Sequence, residues 1–199
     1  MPCPYLSGKG RIPMKGLIFN LLEEFLVARC GETGYELILA DCQLITAKPS
    51  LMVGPGSYPD QDFTAIIASA AKRLGLSSDE LLHEVGQAAI PRLALRYPQF
   101  FCSSKHPREF FASLNFIHHL EVKKLYKDTE LPRFRCENKA DGSLLISYIS
   151  GRGLCHLFSG LINGVADHYQ TPLSQRQLVC IDDGQPECLF KLTFDDVTQ

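Results

Sequence analysis

Apolar residues recur at helical spacing through most of the first 126 positions. From Lys15 to Leu26 the residues Leu17, Ile18, Leu21, Leu22 and Phe25 mark one face of a helix, with Gly31 and Gly34 expected to limit it. Residues 48–60 carry Pro49, Gly54, Pro55, Gly56 and Pro59 and read as a loop. Phe63, Ile66, Ile67, Ala70 and Leu74 form the buried stripe of a helix from about Asp60 to Leu74, which Gly75 ends. Ser77-Ser78-Asp79-Glu80 is a capping box opening a further helix toward Tyr97, with a bend expected at Pro91. Pro107 suits the first turn of another helix, which runs through Phe110, Phe111, Leu114 and Ile117 to about Tyr126.

The period changes after Pro132. Ser143–Ser150 is rich in β-formers and short enough for a strand. Leu154–Tyr169 is helical again, with Leu157, Phe158, Leu161, Ile162 and Val165 inward. Leu173–Cys180 and Glu187–Phe194 read as strands joined by the turn Asp182-Asp183-Gly184-Gln185-Pro186. The chain is therefore expected to be an α+β domain: a helical N-terminal subdomain, then an antiparallel sheet with one long helix. The composition of residues 1–13 is that of a disordered tail, which places the domain at 14–195.

Composition narrows the function classes. With 199 residues and 45% hydrophobic content, the chain can bury a real core. A formal net charge of −2 gives no reason to expect nucleic acid or an anionic membrane as partner. No apolar run approaches the ~20 residues that span a bilayer. The opening Met1–Pro13 lacks the apolar core of a secretory signal, so a cytoplasmic protein is expected. None of the eight cysteines forms a C-x-x-C pair, and in a reducing compartment most read as small buried hydrophobes.

Three features carry chemistry. His118-His119 lies on the last helix of the N-terminal part; Pro132 follows 13 residues after His119; Tyr148-Ile149-Ser150-Gly151-Arg152 is a Y-x-S-x-R pattern. Side chains alternate along a strand, so Tyr148, Ser150 and Arg152 are expected on one face. A phenol, a hydroxyl and a guanidinium together make a donor array for carboxylates, such as the propionates of heme. A solvent-exposed strand face would show the same spacing. Periodicity does not choose between the histidines, since His118 shares a stripe with Phe111, Leu114, Val122 and Leu125, and His119 one with Phe116, Val122 and Tyr126.

Met14-Lys15-Gly16-Leu17-Ile18-Phe19-Asn20 resembles the opening of bacterial heme nitric oxide/oxygen binding (H-NOX) domains, and Ile117–Tyr126 resembles the family's I-H-x-E-V-x-K-L-Y segment. The resemblance runs from Met14 to Phe194. It implies that heme b is buried between the two parts of the fold and ligated by His119, seven residues before Tyr126, with His118 an extra neighbour. It further implies that Pro132 distorts the macrocycle and that Tyr148, Ser150 and Arg152 hold the propionates. The tryptophan found in many relatives is missing, and Tyr35 sits near its place.

Oxygen-binding relatives carry a distal tyrosine where this chain has Leu157. The other matched distal positions are Ile18, Leu22, Ile90 and Leu93, all aliphatic. Bound oxygen needs a hydrogen-bond donor that these residues do not supply. The resemblance thus implies a sensor of nitric oxide, binding carbon monoxide as well, that excludes oxygen and has no catalysis of its own. Release of the Fe–His119 bond would let the heme relax and signal in trans to a sensor histidine kinase or a cyclic-di-GMP enzyme. Some relatives also bind zinc with one cysteine and an H-x-x-C-x(7)-C segment. Cys155, Cys180 and Cys188 match, but Gln177 replaces the histidine, leaving His156, His168 and Cys136 as candidates for the fourth ligand. Two other readings compete: a zinc/thiol redox sensor with heme secondary, and a peroxidase-type heme enzyme, which the aliphatic distal set argues against.

Overall fold

A computed structural model describes residues 13–47, 52, 56–118 and 131–195. The expected α+β arrangement is observed. Strand β1 (Met14–Lys15) pairs antiparallel with β2 (Ser57–Tyr58). Helix α1 (Gly16–Ala40) is broken once, at Gly31, where φ is 76° and ψ 170°. The expected stop at Gly31 is thus a kink. Gly34 lies inside the resumed helix, whose Ile38 is 1% exposed and rejoins the core. Glycine tolerates this backbone region; most other residues do not.

Helix α2 (Asp60–Leu74) ends on Gly75 in the left-handed conformation, as its sequence predicts. Helix α3 (Ser78–Arg96) opens on the expected capping box. The Glu80 N–H donates to Ser77 Oγ at 3.1 Å, and the Ser77 N–H donates to the Glu80 carboxylate at 2.8 Å. Pro91 is accommodated inside α3. A short α4 (Pro98–Phe101) leads to α5 (Pro107–Phe116), which continues as a π-turn at 117–118. The expected run of this helix to Tyr126, with His119 on it, lies outside the described residues.

The C-terminal part is a four-stranded antiparallel sheet of order β3-β4-β6-β5. Its strands are β3 (Arg133–Asn138), β4 (Leu144–Ile149), β5 (Leu173–Val179) and β6 (Cys188–Phe194). Helix α6 (Cys155–His168) packs on it, and a 3-10 turn (Ile181–Asp183) joins β5 to β6. Strand β3 was not anticipated. As an edge strand it buries only Phe134, so its sequence carries no hydrophobic alternation.

Burial divides the interior into two clusters. One gathers Phe19, Leu22, Leu26, Phe63 and Ile66 from α1 and α2; the other gathers Phe110, Phe111, Ile146, Phe158 and Phe190 around the sheet. Helix α3 serves both, giving Leu81 and Val85 to the first and Ile90 to the second. It lies backbone to backbone against α6. A Cβ on Gly86 would be driven into the Leu157 carbonyl, one on Gly160 into the His83 carbonyl, and one on Gly164 would sit 2.6 Å from the Gln87 carbonyl. Hydrogen bonds between α3 and α6 flank this contact, Asn163 with His83 at 3.1 Å and Gln87 donating to Asp167 at 2.7 Å. No helix among the described residues is long and apolar enough to cross a membrane.

The glycine contact gives a stability prediction. Gly86→Ala must push α3 and α6 apart, and overpacking of this kind costs about 1–3 kcal/mol. A lowered urea midpoint at unchanged slope is expected. A midpoint equal to that of the parent protein would show that the helices are not in backbone contact.

Candidate functional site

Tyr148 sits on β4 opposite Phe134 of β3 and Cys188 of β6. Its ring stacks on Phe158 at 4.9 Å and lies 5.8 Å from Phe134. Burial pushes its phenol up to about 12, while the Ser150 hydroxyl and the Arg152 charge oppose the rise. At neutral pH Tyr148 is therefore a protonated O–H donor, as recognition of a carboxylate requires.

Strand β4 stops at Ile149, so alternation along a strand accounts for Tyr148 alone. Ser150 and Arg152 lie in the turn that follows, where the Arg152 N–H donates to Ser150 Oγ at 3.3 Å. The three side chains converge because this turn folds back, which corrects the strand-face argument. The Arg152 side chain is only 11% exposed. Its Nε lies 3.3 Å from the Asp60 carboxylate on the first turn of α2, and Nη2 donates to the Pro13 carbonyl at 3.2 Å. The motif thus reaches the N-terminal part of the fold. Asp60 was not recognised in the sequence, where it reads only as an acid favourable at a helix start.

The donor set fits the two propionates of a heme. A protonated phenol, a hydroxyl and a guanidinium already engaging a carboxylate are gathered beside two apolar clusters. Of the distal positions, Leu22 and Ile90 are buried and Ile18, Leu93 and Leu157 partly buried. Ile18, Leu22 and Leu157 belong to the N-terminal cluster, Ile90 and Leu93 to the sheet-side cluster. The His118 ring packs on Phe134 at 5.2 Å. Pro132 stands immediately before β3, two residues ahead of Phe134.

A feature absent from the sequence reading ties this region together. The Asn115 carboxamide of α5 brackets the Phe134 backbone: its Oδ1 accepts the Phe134 N–H at 2.9 Å, and its Nδ2 donates to the Phe134 carbonyl. An isolated asparagine at the surface of a helix carries no sequence signal for such a contact.

The three matched cysteines also meet. The Sγ atoms of Cys155, Cys180 and Cys188 lie within 4.8 Å of one another, with Cys155 and Cys180 at 3.8 Å. Two sulfurs on a tetrahedral zinc stand about 3.8 Å apart. Backbone N–H groups of the 3-10 turn point at these sulfurs, Ile181 donating to Cys188 at 3.3 Å and Asp182 to Cys180. The neighbouring Cys188 sulfur and burial raise the pKa of the Cys155 thiol, while the Cys155 thiol lowers that of Cys188; the Cys155 thiol also lies 3.6 Å from the Asp182 carboxylate. His156 joins Cys155 and Asp182 in a second group within the same 4.8 Å, and its Nε2 lies 3.6 Å from Asp79. Two other candidates for a fourth ligand are engaged elsewhere. The Cys136 thiol donates to the Phe111 carbonyl at 3.3 Å, and the His168 ring packs on Phe101 at 5.0 Å. Gln177 donates to the Val179 carbonyl.

Comparison with known proteins decides the family. The Haem-NO-binding (HNOB) profile matches residues 15–177. The chain belongs to the Haem-NO-binding family. It is similar to an H-NOX protein from S. oneidensis whose crystal structure is in the Fe(II)NO ligation state, with 26% identity and a TM-score of 0.84 over 92% of this chain and 100% of that one. It is also similar to the Fe(II) unliganded H-NOX protein from K. algicida, with 25% identity and a TM-score of 0.82 over 94% and 99%. Among full-length relatives, the soluble guanylate cyclase gcy-32 of Caenorhabditis elegans is 26% identical over 157 residues, covering 77% of this chain and 23% of the cyclase. The chain thus spans about a quarter of that relative's length. H-NOX domains bind heme and are gas sensors rather than enzymes.

In this H-NOX domain the buried guanidinium is the group whose loss heme retention should register most. On the propionate reading, Arg152→Ala would leave carboxylate charge without its cation. We expect the variant to purify with less heme and to lose it faster to a heme acceptor. Equal heme content and equal loss rate would show that Arg152 does not hold the cofactor.

Proposed function

We propose that this domain is a nitric oxide sensor that holds ferrous heme b through His119 and excludes oxygen. The observation that carries the reading is a buried donor cluster for carboxylates beside distal positions that are all aliphatic. When bound, the heme would supply a ferrous iron that takes a diatomic gas, carbon monoxide included. His119, which lies outside the described residues, would provide the imidazole ligand. Tyr148, Ser150 and Arg152 would orient the propionates, and Pro132 would pack against the macrocycle. Loss of the His119 bond on nitric oxide binding would make the domain a ligand-biased two-state element. The output is read in trans by a sensor histidine kinase or a cyclic-di-GMP enzyme in the cytoplasm.

Selectivity follows from Leu157. A phenol in its place can donate to bound oxygen, and a hydrogen bond to a charged acceptor is worth roughly 1.5–3 kcal/mol. At about 1.4 kcal/mol per tenfold, that is about one to two orders of magnitude in affinity. The reduced protein mixed with air should form no stable oxygen complex, and Leu157→Tyr should move it toward one. A stable oxygen spectrum from the unmodified protein would overturn the nitric oxide reading.

The gathered thiols favour a second, zinc-binding role. Cys155, Cys180 and Cys188 supply three thiolates, and His156 supplies the fourth ligand in place of the histidine that Gln177 replaces. Asp79 beside His156 Nε2 is the carboxylate partner that ligating histidines commonly keep. Each thiol gives its proton to solvent on binding, and the cluster then serves as a thiol redox switch. Metal analysis should find one zinc per chain, near background in Cys180→Ser and more easily removed by a chelator in His156→Ala. A parent protein without zinc, prepared free of chelators, would remove this role and leave the heme reading standing.

A further inference from the structure

Strand β3 is an edge strand, so alternate residues turn their N–H and C=O away from β4. At Phe134 both groups are taken by one side chain, the carboxamide of Asn115. A two-point contact of this kind imitates a neighbouring strand and fixes orientation as well as distance. A second bond to the same helix, from the Cys136 thiol of β3 to the Phe111 carbonyl at 3.3 Å, runs beside it.

The location of the contact matters more than its strength. Asn115 stands four residues before His119 in the sequence. Phe134 stands two residues after Pro132 and touches His118, Tyr148 and Phe158, with ring centres 5.2, 5.8 and 5.2 Å apart. One carboxamide therefore joins α5, the helix that precedes His119 in the chain, to β3, the strand that follows Pro132, and through Phe134 to Tyr148.

We propose that Asn115 is a positioning residue that makes the end of α5 and strand β3, which follows Pro132, move as one body. The inference rests on the heme reading above. Displacement of the helix end on release of His119 is passed into β3 instead of being absorbed between the two elements. Asn115 touches neither heme nor gas and acts through the Phe134 backbone. Hydrogen exchange tests the clamp, and the heme spectrum tests what it does.

Asn115→Leu keeps the side-chain shape and removes both hydrogen bonds, while Asn115→Gln keeps both groups. In the heme-loaded, reduced protein the Phe134 amide is expected to exchange about tenfold faster in Asn115→Leu, the order expected from losing one to two net hydrogen bonds. The resonance Raman iron–imidazole stretch and the out-of-plane heme modes should shift in the same variant. Asn115→Gln should restore both readouts toward the parent values. Unchanged Phe134 exchange in Asn115→Leu would show that no clamp exists. Faster exchange with an unaltered iron–imidazole stretch and unaltered heme modes would reduce Asn115 to a structural contact, and the positioning role would fall. Failure of the heme reading itself would appear separately, as a parent protein that takes up no heme while Phe134 exchange still responds to Asn115.

Discussion

A guanidinium that is 11% exposed must have its charge met inside the protein, and Arg152 meets it by reaching across the fold. Its backbone belongs to the turn after β4, its Nε faces Asp60 at the start of α2, and its Nη2 donates to the Pro13 carbonyl. One side chain thus touches the sheet-side motif, the helical part and the first described residue of the chain. The arrangement needs β1 and β2 to hold Pro13 near the start of α2, and it needs the short turn after β4 to aim the arginine. A cofactor bearing two carboxylates would enter at a place where both halves already meet through charge.

Around that point the structure is held by backbone packing. Helices α3 and α6 touch at the backbone through Gly86, Gly160 and Gly164, and side-chain bonds between Asn163 and His83 and between Gln87 and Asp167 lock the pair. Because α3 serves both clusters and α6 packs on the sheet, the pair forms a frame for the two parts of the fold. Helix α5 joins the same interior through Phe110, Phe111 and Leu114 and is fastened to β3 by the Asn115 carboxamide. On the proposed heme reading, a displacement at the end of α5 would therefore reach β3 while the α3–α6 frame stays in place.

Local chemistry made much of this legible in the sequence. The Ser77–Glu80 box, the Gly75 stop and the strong stripe of α6 are decided by neighbours three or four residues apart, so pattern alone places them. Strand β3 escaped because an edge strand with one buried residue has no period to detect. The convergence of Tyr148, Ser150 and Arg152 was foreseen for the wrong reason, because the strand ends before the serine and a turn does the gathering. Asp60 and Asn115 stayed invisible, since their roles rest on partners 92 and 19 residues away. The meeting of Cys155 with Cys180 and Cys188 was readable only through family resemblance; the place of His156 beside Cys155 and Asp182 needed coordinates.

The functional account depends on one assignment within a histidine pair. His118 packs on Phe134, and the proposal assigns the iron to His119 from the family register to Tyr126. The most direct measurement is the absorption spectrum of the reduced, heme-loaded protein, before and after nitric oxide, in His118→Gly and His119→Gly side by side. The account predicts that His118→Gly keeps the axial-imidazole spectrum and its response to nitric oxide, while His119→Gly loses the imidazole spectrum until imidazole is added back. Loss of ligation in His118→Gly with normal ligation in His119→Gly would contradict it.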